Sequence, residues 1–287
     1  MGRVIALVSG KGGVGKTVVT ANVGIALAKR NLKVCLVDAD IAMANLSLLL
    51  GLQSSPITLH DVLLGEAGVQ DAIYDGPAGV KLIPSGLSLE NYRRVDAERL
   101  ESVIESIANQ FDFILLDGPA GIERTAIAAI SAADEVLLIT APDPPSVADV
   151  LKTKMVVQRL GVKPIGAVLN FVRGEKGEIT NEDIIKMLEL PIYGLIPYDQ
   201  EVRRSFMQQK AAPVILRKPN SPASIALQKT AAKLVGLSVQ LDAVKKKKAG
   251  FLSRLFGIFK GKKKQPAIAA AEADELGGEA VEGEDEA

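Results

Sequence analysis

Short runs of Val, Ile and Leu alternate with longer amphipathic stretches along most of this chain. The short runs predict strands over residues 4–8, 34–37, 80–83, 113–116, 136–139, 165–169 and 192–196. The longer stretches predict helices over 17–29, 59–64, 97–109, 124–132, 147–160, 182–188, 201–209 and 221–237. Asp96 is placed to cap the helix that follows it, and Asn31 to end the first one. Strands this short and this continuously apolar suit a sheet buried on both faces, as parallel sheets are. Regular alternation of strand and helix implies βαβ units. The fold class is therefore α/β, a mostly parallel sheet with helices on both faces. With no clear linker before Ser238, residues 1–240 read as one domain. Beyond it come a basic linker at 241–248, an amphipathic helix with flanking lysines at 249–264, and an acidic tail at 265–287 of disorder-prone composition.

Composition narrows the chemistry. The 287 residues carry 34 basic and 34 acidic side chains. Nine of the basic ones, Lys245, Lys246, Lys247, Lys248, Arg254, Lys260, Lys262, Lys263 and Lys264, crowd into one short segment. The body is near neutral, so no broad nucleic-acid face and no specific nucleic-acid binding are expected. Cys35 is the single cysteine, which excludes an internal disulfide and a cysteine metal or iron–sulfur site within one chain. It falls on a core strand and reads as an inert thiol. The single histidine, His60, argues against histidine-based metal or nucleophile chemistry. It is expected at a helix start, on the surface or half-buried. The amino terminus lacks the pattern of a signal peptide, and no apolar run approaches the roughly 18 residues of a membrane span, so the expected location is cytoplasmic.

The chemistry enters at Gly10-Lys11-Gly12-Gly13-Val14-Gly15-Lys16-Thr17, which matches G-x-x-x-x-G-K-[ST] between a predicted strand and a predicted helix. Glycines let backbone N–H groups converge on a phosphate, and the helix directs its positive end at the anion. In such a loop Lys16 reaches the β- and γ-phosphates of ATP, and the Thr17 hydroxyl ligates Mg²⁺. The sequence thus predicts a P-loop NTPase. Asp38 and Asp40 close the second strand beside this loop, where carboxylates can hold Mg²⁺ through water, orient an attacking water, or cap the next helix. Four apolar residues and an acid, Phe113 to Asp117, have the form of a metal-supporting Walker B strand, and 117–121 read as the loop after it.

A general P-loop has no use for the second lysine, Lys11. K-G-G-V-G-K-T is the deviant Walker A sequence, and with it the chain resembles the MinD/ParA group of P-loop ATPases. The resemblance implies that Lys11 reaches across an ATP-dependent homodimer to the partner's phosphates. It implies that Asp40 positions the hydrolytic water, that Asp38 and Asp117 support the metal and its waters, and that Asn45 contacts nucleotide or the opposing subunit. It makes Lys11, Lys16 and Asp40 the catalytic set. Asn170 is assigned to adenine, framed by the Pro197-Tyr198-Asp199 turn. The chain departs from the family at Asn170-Phe171, where Asn-Arg is common, and Arg173 is a candidate substitute. Residues 141–146 and Asp149 resemble a family loop near the dimer face.

The carboxy-terminal segment chooses among relatives. At roughly 100° per residue, Phe251, Leu252, Leu255, Phe256, Ile258 and Phe259 share one helical face, opposite Ser253, Arg254, Gly257 and Lys260. Flanking lysines complete the pattern of an interfacial membrane helix, each adding about 1 kcal/mol on an anionic surface. Two such helices on one dimer bind far better than one. Membrane-binding MinD proteins carry such a tail, so the resemblance is to the MinD family. It implies a positioning ATPase, peripheral to the inner face of the cell membrane, with a protein partner that the sequence does not identify. A packed or partner-binding terminal helix is the alternative, as are a ParA-type partitioning ATPase and a nucleotide-gated scaffold. Tyr92, Arg93 and Arg94 read as a solvated loop or a partner-facing surface.

Overall fold

The computed structural model describes residues 2–41, 43–52, 54–86, 95–207 and 212–239. The expected membrane helix, the tail and Tyr92 to Arg94 lie outside the described residues. One eight-stranded sheet organises the rest, with strand order β3-β4-β2-β5-β1-β6-β7-β8. The strands are β1 (Arg3–Ser9), β2 (Val34–Asp38), β3 (Tyr74–Asp75), β4 (Lys81–Ile83), β5 (Phe113–Ala120), β6 (Glu135–Thr140), β7 (Lys163–Val172) and β8 (Ile192–Pro197). Only the β3–β4 pairing is antiparallel.

The apolar runs are continuous because both faces of the sheet are covered. Along β1, Val4, Ala6 and Val8 enter one core, and Ile5 and Leu7 enter the other. Along β2, Cys35 and Val37 face the first core, and Val34 and Leu36 the second. The first core is closed by α3 (Leu59–Leu64), α4 (Leu100–Ile107), α5 (Arg124–Ser131), α6 (Pro144–Arg159) and α7 (Asn181–Leu188). The second is closed by α1 (Lys16–Ala28), α2 (Leu46–Leu50), α9 (Val214–Arg217) and α10 (Pro222–Leu234). Helix α8 (Gln200–Phe206) follows β8.

Four details depart from the sequence reading. Strand β5 continues through Asp117 to Ala120, where a loop was expected, because Ala120 still pairs with Ser9 of β1. Strand β7 runs to Val172, so Asn170 lies inside it and does not end it. Helix α6 begins at Pro144, three residues before the expected start. Asp143 caps it by accepting a bond from the Ser146 N–H at 2.9 Å, and proline is favoured in a first turn because it lacks an N–H to leave unpaired. His60 is buried at 1% exposure. The Leu59 N–H bonds the Pro84 carbonyl at 2.8 Å, drawing the start of α3 under the end of β4. The elements α2, β3 and α9 are absent from the sequence reading, each five residues or shorter.

Candidate functional site

The sheet order brings β1, β5 and β2 together at its centre, so the segments leaving their C-terminal ends meet in one place. The loop after β1 leads into α1. Gly15 stands just before this helix at φ 85°, a left-handed conformation that costs other residues energy, and no side chain caps the helix. No acidic residue lies in its first turn. The N-terminal N–H groups and positive end of α1 are therefore open to an anion. At the other side of the loop a Cβ on Gly10 would collide with the backbone of Asp149 and Val150, so glycine lets the loop lie directly on α6.

Two strands supply carboxylates to this end. Asp38 and Asp117 are register partners on β2 and β5, and both are buried. Asp117 Oδ1 accepts bonds from Lys16 Nζ at 2.8 Å and from Thr20 Oγ1 at 2.9 Å. Asp38 Oδ2 accepts the N–H groups of Asn45 and Leu46 at 3.1 and 3.0 Å, while its Oδ1 has no partner. Burial and the neighbouring Asp117 push the Asp38 carboxyl up to about 8. A buried acid with one unused oxygen, next to a second acid, fits the water shell of a divalent cation, which would restore the charge balance. Among the described residues no group of three or more His, Cys, Asp or Glu side chains forms a metal cage. Mg²⁺ in a phosphate site takes few protein ligands and shares phosphate oxygens. Thr17 is half-buried in the first turn of α1.

The remaining predicted residues separate into groups. Asp40 is half-buried on the segment after β2, and its Oδ1 accepts the Met43 N–H at 3.1 Å. Asn45 is exposed and turns its amide to the Met43 carbonyl at 2.9 Å. Lys11 does not join Lys16. Its Nζ lies 3.4 Å from Asp143 Oδ1, with both side chains roughly half exposed. Gly12 and Gly13 are exposed at the loop tip, and Val14 is buried.

Beyond the loop a cavity of about 280 Å³ opens, lined by Val18 and Val19 of α1, Asn170 and Phe171 of β7, and Pro197 to Asp199. Its walls are largely apolar, and it stands at the C-terminal ends of β7 and β8, the usual ligand side of such a sheet. Asn170 donates from Nδ2 to the Val14 carbonyl at 2.8 Å, so it is tied to the phosphate loop itself. The Asp199 carboxylate is committed to two helix starts, accepting from the N–H groups of Glu201 at 2.9 Å and Ala223 at 3.2 Å. Arg173 lies over the Tyr198 ring at 4.0 Å. Phe171 holds φ 60°, which is uncommon for a bulky residue, and its ring approaches Gly15. Such strain collects at ligand sites. The wider groove at Tyr193, Lys233 and Gly236 lies by the N-terminal end of β8, away from the strand ends that carry the loop, and has no carboxylate in its lining.

The sequence reading missed Thr20, the cavity wall at Phe171, and the pairing of Lys16 with Asp117. Thr20 could have been found, since it lies one turn after Lys16 on the same face of α1.

Comparison with known proteins agrees with this geometry. Residues 5–212 match the CobQ/CobB/MinD/ParA nucleotide binding domain. An uncharacterised ATP-binding protein of Methanocaldococcus jannaschii is 44% identical over 260 residues, covering 90% of this chain and 97% of the relative. The structure of the Pyrococcus furiosus cell division ATPase MinD superposes with a TM-score of 0.79 at 40% identity, covering 83% of this chain and all of that one. The septum site-determining protein MinD of Pyrococcus horikoshii, solved with Mg-ADP, superposes with a TM-score of 0.78 at 37% identity, covering 82% and 96%. The chain belongs to the MinD branch of this family of P-loop proteins, which binds nucleotide with magnesium.

Proposed function

We propose that this protein is an ATPase that dimerises on ATP, binds an anionic membrane through its carboxy-terminal segment while dimeric, and leaves the membrane on hydrolysis. The observation that carries the reading is the separation of the two loop lysines. Lys16 is buried against Asp117, within its own site, while Lys11 is half exposed and, among the described residues, paired with Asp143. An exposed pair of this kind contributes little, on the order of 0–1 kcal/mol, and exchanges readily for a better anion. A partner's phosphates are such an anion, and Lys11 is the residue we assign to them.

Within the site, Lys16 leaves Asp117 for the β- and γ-phosphates. Asp117 and Asp38, with the Thr17 hydroxyl, would hold the metal and its waters. Asp40 orients the attacking water. Asn170, Phe171, Pro197 and Asp199 form the base cavity, with Asp199 acting by fixing the turn. Magnesium, when bound, supplies charge to the leaving phosphate oxygens. Because the P. horikoshii relative is named for septum-site determination, we assign the cycle to placing the division site, with a protein partner that recognises the dimer.

Co-sedimentation with anionic liposomes tests the reading. Full-length protein is expected to pellet with ATP and much less with ADP, and a chain ending at Asp242 is expected to stay in the supernatant with either. The same sedimentation of both chains with both nucleotides would overturn it.

A further inference from the structure

We propose that His60 is a positioning residue for hydrolysis: its imidazole holds the main chain at Ile41 and thereby fixes Asp40, one residue upstream. This rests on the assignment of Asp40 to the attacking water. His60 Nε2 lies 3.0 Å from the Ile41 carbonyl. A carbonyl can only accept, so Nε2 carries a proton, and in the neutral ring Nδ1 is bare. Nδ1 has no partner, and the ring packs so closely on Gly86 that a Cβ there would collide with it. The Ser85 hydroxyl stands 3.4 Å from the same Nε2.

A leucine here would avoid burying an imidazole and orphaning a ring nitrogen, both of which cost stability. The one strong bond the histidine gains in return is to Ile41. That bond falls at a particular place in the segment that follows β2. Asp38 closes the base of the segment by accepting the Asn45 and Leu46 N–H groups. The Ile41 side chain is 2% exposed, and His60 grips the carbonyl of the same residue. Asp40 thus lies between two anchors, while Met43 just beyond them is 70% exposed. Without the grip, the Ile41 carbonyl loses its anchor, and Asp40 is held in place less firmly. The phosphate loop at 10–17 shares no hydrogen bond with His60 among the described residues, so nucleotide affinity is expected to survive its replacement.

The test compares full-length protein with His60→Leu, His60→Gln, Asp40→Ala and the Asp40→Ala/His60→Leu double variant. The measurements are ATP turnover, KM for ATP, ADP affinity by displacement of a fluorescent nucleotide, and thermal unfolding. His60→Leu is expected to lower kcat about tenfold with KM and ADP affinity within about twofold. His60→Gln can donate from its amide to the Ile41 carbonyl and is expected to recover most of kcat. Added to Asp40→Ala, His60→Leu is expected to remove no further turnover, since it acts through Asp40. An unchanged kcat in His60→Leu overturns the proposal. So does a loss shared equally by kcat and ADP affinity in both His60 variants, which would make the residue merely structural. So do additive losses in the double variant. If Asp40→Ala turns over ATP as the unaltered protein does, the assignment of Asp40 falls first, whatever the His60 variants show.

Discussion

Lys16→Ala is expected to lose ATP and, in the same stroke, to destabilise the empty protein. The first effect follows from the loop, where Lys16 is the one buried cation at the start of α1. Removing a positioned charge from a phosphate site costs about 10²- to 10³-fold. The second follows from the partner of Lys16. It pairs with Asp117 at 2.8 Å, with the two side chains 7% and 1% exposed. Alanine leaves Asp117 buried beside Asp38, two acids without their cation. Breaking one side of a buried pair costs about 3–5 kcal/mol. Urea unfolding of the nucleotide-free protein, beside a fluorescent-nucleotide titration, separates the effects. A midpoint equal to that of the unaltered protein would show that the pair does not stabilise the fold.

Asp38→Asn is expected to act in opposite directions on the two quantities. The folded carboxyl titrates near 8, pushed up by burial and then by Asp117, against an ordinary value of 3.8. The folded state therefore keeps a proton that the unfolded chain releases. Stability contributed at this position falls as pH rises from about 4 to about 8. Asparagine has no charge to bury, and its carbonyl oxygen can still accept from Asn45 and Leu46. The variant should gain on the order of 2–4 kcal/mol over the unaltered protein at pH 8 and little at pH 4. Its response to Mg²⁺ should weaken by about 10²-fold, because the metal's waters lose a carboxylate. Unfolding measured across pH without nucleotide checks the first part. Parallel profiles for the two proteins would refute it.

The fold was legible in the chain wherever a local pattern settled the matter. The strands 34–37 and 192–196 and the helix 59–64 are found within one residue of their expected limits, because runs of Val, Leu and Ile between turn residues leave few alternatives. The glycine loop was legible for the same reason. Misreadings arose where distant partners overrule local signals. Gly118 and Pro119 read as loop, yet the neighbouring strand β1 carries β5 on to Ala120. Pro144 and Pro145 fell in a loop before a helix expected at Val147, yet the cap at Asp143 makes them a helix start. Asn170, assigned to a base, lines the cavity and also holds the loop at Val14, a contact that no local pattern announces. His60 carries no motif, so only the packing of α3 against its neighbours reveals what it touches.

Cys35 gives this sheet a reporter of its own. It is fully buried in β2, three residues before Asp38, and its thiol is pushed up to about 12, chiefly by burial. It is the only cysteine in the sequence. Alkylating reagents need a thiolate in contact with solvent, so labelling of the native chain counts the moments when β2 leaves the core. Opening of the strand that carries Asp38 can thus be timed by mass, with no engineered label, in the empty and nucleotide-loaded protein alike.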